Sequence, residues 1–281
     1  MAKITAAVEL MRPLNGLMMG LIVIVGAIVA GRGWLPPALD LVGGVLVAFL
    51  LTSSAMVLND IVDLGIDAVN APQRPIPSGR VTVGEAKALF AIISALGLAI
   101  SAVMGLPELA VAAISYVDAV LYDTVTKKLG LLGNAMVAFT GVSPMLYGAV
   151  MSDGINSAVA LESLMIFLFM VGREIAKGVA DVEGDRLHGV RTLAVSWGVR
   201  RASFASVAFI LAAIAVSFVP PLIGIANRLY YSVPIALVDL IFMYESLRLV
   251  ASPSRKIALG VKDAILYAVP LALLGFALGA L

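Results

Sequence analysis

The chain has 281 residues, 61% of them hydrophobic and only 13% charged, with a net charge of +1 and no cysteine. A soluble domain averages about 25% charged residues, so this composition excludes one; the missing cysteines exclude disulfides, thiolate catalysis and cysteine-ligated metals. A balance so near neutral, with no patch of basic and aromatic residues, offers no footprint for nucleic acid.

The N-terminal MAKITAAVELMRPLNG has no small-residue cleavage site behind a short apolar core, so the first apolar run reads as a retained span. Apolar runs then follow near 14–31, 38–59, 85–105, 108–122, 132–151, 158–176, 202–219, 230–249 and 263–280. Each is close to the length of about 20 residues that crosses roughly 30 Å of hydrocarbon. The expected fold is therefore all-α, a multi-pass membrane protein of about nine transmembrane helices in one domain over residues 1–281. Of the cations, only Arg32 and Arg228 lie in connectors on one side of these spans. The rest, from Lys3 and Arg12 through Arg74, Arg80, Lys127 and Lys128 to Arg255 and Lys256, lie on the other. The positive-inside rule makes that side cytoplasmic, with the N-terminus inside and an odd number of spans. The two longest connectors on that side, near 60–84 and 177–201, also hold most of the acids, so the chemistry is expected to face the cytoplasm of a cell membrane.

LNDIVDLGID, residues 58–67, ends the second apolar run with an asparagine and three aspartates. At about 100° per helical residue, Asn59, Asp63, Asp67 and Asp60 share one arc if the helix continues. GREIAKGVADVEGDRLHG, residues 172–189, repeats the pattern, with Arg173, Glu174 and Lys177 in the turns before Asp181 and Asp185. Two carboxylates about 4 Å apart repel by roughly 4 kcal/mol at an effective dielectric near 20, so two such sets facing each other need a cation between them. Oxygen-only ligands favour Mg2+, which completes its shell with water and phosphate. Two acidic motifs flanked by Lys and Arg thus point to a magnesium–diphosphate site; the alternative is a set of solvated loop charges.

NDIVDLGIDAVNAPQRPIPSGR (59–80), DVEGDRLHGVRTLAVSWG (181–198) and YDTVTKKLGLLGN (122–134) resemble the signature regions of the UbiA-type intramembrane prenyltransferases. The resemblance covers nearly the whole chain. It implies a helix bundle around a central cavity in which Mg2+, two ions in all, helps ionise a polyprenyl diphosphate. MRPLNGLM (11–18) and REIAKGVADVEGD (173–185) most resemble an archaeal branch of that family. That branch transfers a geranylgeranyl group to geranylgeranylglyceryl phosphate, an ether-lipid precursor. GVAD at 178–181 departs from it, because a further acid is expected there.

Carried onto matching positions, the family pattern assigns Asn59, Asp63 and Asp67 to one magnesium ion and Asp181 and Asp185 to the other. Asp60, at the edge of the arc, is expected behind them. Arg74, Lys127 and Lys177 are candidates for the diphosphate, since lysine suits a phosphate point charge and arginine a bidentate clamp. Arg80 is either a further diphosphate ligand or a lipid-headgroup anchor. Tyr122 either faces the allylic cation with its ring or belongs to an interfacial belt. Arg12 beside Asn15 is the candidate for the acceptor's phosphate, or else an anchor; Arg173 is another candidate, or a partner of Glu174. Tyr116 and Tyr147 read as belt or core residues, His188 as a surface histidine. Asp118 is expected to accept a hydrogen bond within the bundle. Asp239 must face the interior or a partner, because a charge at the bilayer centre is costly.

Two other functions compete. An aromatic acceptor such as 4-hydroxybenzoate would use the same fold and also want an arginine. A cation transporter would use intramembrane acids, but here the acids gather at one membrane face and no inverted repeat is found. A CDP-alcohol phosphotransferase is rejected, for its D-x-x-D-G-x-x-A-R pattern is absent.

Overall fold

A computed structural model describes residues 2–187 and 189–281, and every regular element among them is a helix. A short α1 (Ala2–Met11) turns at Arg12 into α2 (Pro13–Ala30), and α3 (Ala38–Val62) runs back to a short α4 (Leu64–Asn70). After a proline-rich turn segment come α5 (Val83–Met104) and α6 (Leu106–Thr124), a 3-10 turn at Thr126–Lys128, α7 (Leu131–Val150) and α8 (Ser157–Ala180). Two short helices, α9 (Val182–Leu187) and α10 (Leu193–Trp197), lead to α11 (Val199–Ser217), α12 (Val219–Leu222), α13 (Arg228–Ala251), α14 (Arg255–Asp263) and α15 (Ile265–Gly279).

The boundaries follow local chemistry. Thr82 and Glu85 form a reciprocal capping box at the start of α5, which satisfies two otherwise orphaned amides. Pro107 sits in the first turn of α6, where its missing N–H costs nothing. Asn156 caps α8 through Val159 N and also donates to the Val29 and Ala30 carbonyls, tying the end of α2 to the start of α8.

Among the described residues, five stretches are long and apolar enough to cross a membrane: α2, α3, α5, α11 with α12, and α14 with α15. The other long helices, α6, α7, α8 and α13, are diluted by polar residues such as Asp118, Thr140, Glu174 and Asp239. Three of those four wall the cavity described below, which gives the dilution its reason.

The core runs between α2, α7, α8 and α11. Glycine sets the closest approach: a Cβ on Gly148 of α7 would lie 1.9 Å from the Val23 carbonyl oxygen of α2, and one on Gly26 would lie 2.2 Å from that of Met145. Small residues that let backbones touch are how helices associate where lipid removes the hydrophobic drive. Large apolar side chains such as Leu39, Val103 and Leu240 face outward, as suits a hydrocarbon surrounding. Asp239 finds its partner in Ser217, whose hydroxyl donates to Oδ2 at 2.8 Å.

Candidate active site

A cavity of about 610 Å3 opens between α2, α3, α6, α7 and α8. Each helix contributes one stripe. On α3 the wall residues Val47, Leu51, Ala55, Asn59 and Asp63 recur every fourth position, which keeps them on one face. That stripe runs from apolar depth to polar mouth within a single helix. On α6 the wall passes from Ala112 and Ala119 to Tyr122 and Asp123, and on α8 from Met170 to Arg173, Glu174 and Lys177. Small side chains (Ala48, Ala55, Ala112, Ala119, Gly141) leave the volume open in the middle.

The mouth is a set of paired charges. Lys127 Nζ donates to Asp63 Oδ2 at 2.5 Å, and Arg74 Nη1 to Asp67 Oδ2 at 2.5 Å. Behind them Asp60, almost wholly buried, accepts from Arg12 Nη2 at 2.5 Å and lies 3.5 Å from Arg74 Nη1. Asp60 therefore holds two cations in place rather than facing the cavity. Asn59 Nδ2 donates to Asp123 Oδ1 at 2.8 Å, leaving its own carbonyl oxygen as an acceptor. On the opposite wall Glu174 pairs with Arg173 and stands 3.7 Å from Lys177 Nζ. Burial works against the charge on Arg74, but the hydrogen bond to Asp67 and the charges of Asp60, Asp67 and Asp63 outweigh it and raise its pKa above the usual arginine value. Arg12 reaches Asp60 from a left-handed backbone, φ 47° and ψ 63°. A non-glycine residue rarely adopts that conformation, and such strain concentrates at functional positions.

Chemically, the arrangement is a greasy pocket closed by five cations and four acids, among them Arg12, Arg74 and Lys127 against Asp63 and Asp67. It is suited to an amphiphile with an anionic head. The UbiA prenyltransferase family matches residues 19–260. The chain belongs to that family. A digeranylgeranylglyceryl phosphate synthase from Thermococcus sibiricus is 34% identical over 275 residues, which is 98% of this chain and 96% of the relative. A solved structure concerning digeranylgeranylglyceryl phosphate synthase in membranes superposes with a TM-score of 0.85 at 29% identity, covering 100% of this chain and 99% of that one. A UbiA homolog from Archaeoglobus fulgidus bound to GPP and Mg2+ shares the fold at a TM-score of 0.71 and 18% identity, over 98% and 100% of the two chains. This UbiA-family chain is thus a prenyltransferase.

The cavity of the prenyltransferase brings together Arg12, Asn15, Asn59, Asp63, Asp67, Arg74, Tyr122, Lys127, Arg173 and Lys177 from the sequence reading. Asp181 and Asp185 are not among its lining residues. Asp181 is exposed where α8 ends, one turn past Lys177, and Asp185 is half-buried in α9. Arg80 pairs with Glu9 of α1 at 2.6 and 3.0 Å instead of entering the mouth. Asp118 departs from expectation: its Oδ2 is buried without a hydrogen-bond partner among the described residues. Tyr116 and Tyr147, expected as belt or core, both reach the cavity wall, Tyr147 with its hydroxyl 2.9 Å from Ser101 Oγ. His188 lies outside the described residues. Asp123 and the buried Glu174 were missed as site residues. Asp123 stands four positions before Lys127, and Glu174 three before Lys177, the spacings at which helical side chains meet.

Proposed function

We propose that this prenyltransferase moves a geranylgeranyl group from its diphosphate to geranylgeranylglyceryl phosphate, with Mg2+, in archaeal ether-lipid synthesis. One observation carries the reading: a single cavity that is apolar at depth and ringed at its mouth by Lys127, Arg74 and Lys177 beside Asp63 and Asp67. The name of the Thermococcus sibiricus relative supports the acceptor.

Asn59, Asp63 and Asp67 fit a magnesium ion. They offer hard oxygens alone, and Asn59 has its amide N–H engaged by Asp123, so its carbonyl is left to ligate. Among the described residues no three Asp, Glu or His side chains form a complete cage; Mg2+ does not require one, since it binds through one or two carboxylates plus water and phosphate. Asp181 and Asp185 are assigned to a second ion. Bound there, the metal supplies charge that stabilises the departing diphosphate.

The rest belongs to the chain's own groups. Lys127, Arg74 and Lys177 receive the diphosphate as the allylic C–O bond breaks and its electron pair leaves on oxygen. The allylic cation is left in a pocket that Leu51, Ala55 and Met170 line with carbon, so water does not capture it first. Tyr122, at the boundary between the mouth and the apolar wall, presents its ring to that cation. Arg12, Asn15 and Arg173 take the acceptor's phosphate. The acceptor's hydroxyl oxygen forms the new C–O bond and its proton passes to solvent or to the released diphosphate. The same reading takes residues 1–281 as one domain with nine crossings, adding α6, α7, α8 and α13 to the apolar five. The N-terminus and the mouth then face the cytoplasm, as the distribution of cations supports.

The test is prenyl transfer by the purified protein from radiolabelled geranylgeranyl diphosphate. Product is expected with geranylgeranylglyceryl phosphate, abolished by EDTA and restored by Mg2+. Turnover of 4-hydroxybenzoate alone would replace the acceptor assignment with an aromatic one.

A further inference from the structure

A second cavity, of about 330 Å3, lies at the other end of the bundle. The C-terminal end of α2 with Arg32, the start of α8 from Asn156 to Glu162, the Gly224 loop and the end of α15 at Gly279 form its wall. Helix α8 reaches both cavities: Glu162 borders this one and Lys177 the active site. At 1.5 Å per residue they stand about 22 Å apart along the helix.

Glu162 has no role in the prenyl-transfer site. It is 1% exposed, and its Oε2 is buried without a hydrogen-bond partner among the described residues. Burying a carboxyl group with no donor is unfavourable, so a carboxyl kept at a cavity wall calls for a donor from outside. The surroundings specify which kind. α2 and α15 both end at this cavity, and helix C-termini carry partial negative charge. The opposing positive end of α8 is already capped by Asn156, whose amide is spent on the Val29 and Ala30 carbonyls. The deep part of the cavity therefore favours a cation that can donate N–H bonds.

Arg32 gives the opposite signal at the rim. It is exposed, and its backbone is held in the left-handed region at φ 51°. Neither Arg32 nor Glu162 takes part in an ion pair among the described residues. An acid at depth and a base at the mouth, at the ends of membrane-crossing helices where headgroups lie, match a zwitterion. A volume of about 330 Å3 falls in the range of small-ligand sites.

We propose that this cavity is a second ligand site, which takes a phospholipid headgroup carrying a primary ammonium, with the ammonium on Glu162 and the phosphate on Arg32. The lipid's chains would then run down the outward apolar faces of the bundle.

The protein in detergent, titrated with dihexanoyl phosphatidylethanolamine and followed by native mass spectrometry and thermal shift, tests this. Saturable binding is expected, at least about tenfold tighter than for the choline analogue, whose quaternary ammonium has no N–H to donate. Glu162→Gln should weaken ethanolamine-lipid binding at least about tenfold while prenyl transfer continues. Equal affinity for the two lipids, or wild-type affinity in that variant, would overturn the proposal. Should Glu162→Gln fail to fold, Arg32→Gln at the exposed rim decides: weaker lipid binding supports the site and unchanged binding sinks it. Soluble phosphoethanolamine separates the sources; if it binds and the lipid does not, the lipid assignment is wrong.

Discussion

Asp63 ends α3 and Asp181 ends α8 with nearly the same backbone, φ −83° and ψ 6° in the first, φ −101° and ψ 8° in the second. Each is followed at once by a short helix, and in each the amide of the second aspartate donates back to the first, Asp67 to Asp63 at 2.8 Å and Asp185 to Asp181 at 2.9 Å. Their surroundings differ. Three cations from separate places in the chain, Arg12, Arg74 and Lys127, converge on the first set and its neighbour Asp60. The cations that precede the second set, Arg173 and Lys177, pair with Glu174 instead, and Asp181 stays exposed. One local pattern thus makes the same helix break twice, and the first copy, with Asp63 and Asp67, lines the cavity wall.

The largest expected effect breaks the first copy. Asp63→Ala should leave the protein folded and lower prenyl transfer by at least about 10^3-fold, the scale of losing one preorganised charge at the reacting centre. Radiolabelled transfer at saturating Mg2+ measures it, and activity near wild type would remove Asp63 from the metal assignment.

Asp181→Ala comes next and sharpens the contrast. If the second copy also holds metal with substrate bound, activity should fall by at least about 10^2-fold with no change in melting temperature, since an exposed side chain supports little of the fold. A loss below threefold would make the second copy a surface charge, and the likeness of the two backbones would carry no function.

Asp60→Asn tests the support behind the first copy. Removing one partner of a buried pair costs about 3–5 kcal/mol; with both arginines about a third exposed, about 2–3 kcal/mol is expected here. Thermal unfolding in detergent should fall by several degrees, and KM for the acceptor should rise as Arg12 loses its anchor. A stable variant with normal KM would show that Arg12 is held by other contacts.

Much of this was legible in the sequence because it is local. Apolar runs of membrane length gave the helices, and the spacing of Asn59, Asp63 and Asp67 placed all three on the cavity wall. Long-range pairing was not legible. Asp60 lay on the edge of the same arc, yet its burial depends on Arg12, 48 positions away. Asp123 carried a local sign in Lys127 four positions on, but its pairing with Asn59, 64 positions distant, did not show. Asp118 carries no local sign that its carboxyl oxygen would stay unpartnered. The continuous arc also assumed an unbroken helix, whereas α3 stops at Asp63 and α4 resumes beyond it.

The smallest effect concerns the strap that carries Arg12 to its place. α1 is tied to the connector between α4 and α5 by Arg80 with Glu9, and to the first turn of α5 by Lys3 with Glu85 at 2.7 Å. The hydrogen bond from Arg80 is the main cause that holds the Glu9 carboxyl below its ordinary pKa of 4.5. A carboxyl depressed in the folded state stabilises fully above the unfolded value, and that contribution disappears as pH falls below 4.5 through the folded one. Arg80→Ala should therefore lower the melting temperature slightly at pH 7, by less than about 2 °C for so exposed a pair, and the difference should shrink as pH falls below 4.5. High salt should erase the difference at pH 7. A salt-independent loss would mean that Arg80 acts through the hydrogen bond it donates to the Gln73 carbonyl rather than through the charge of Glu9.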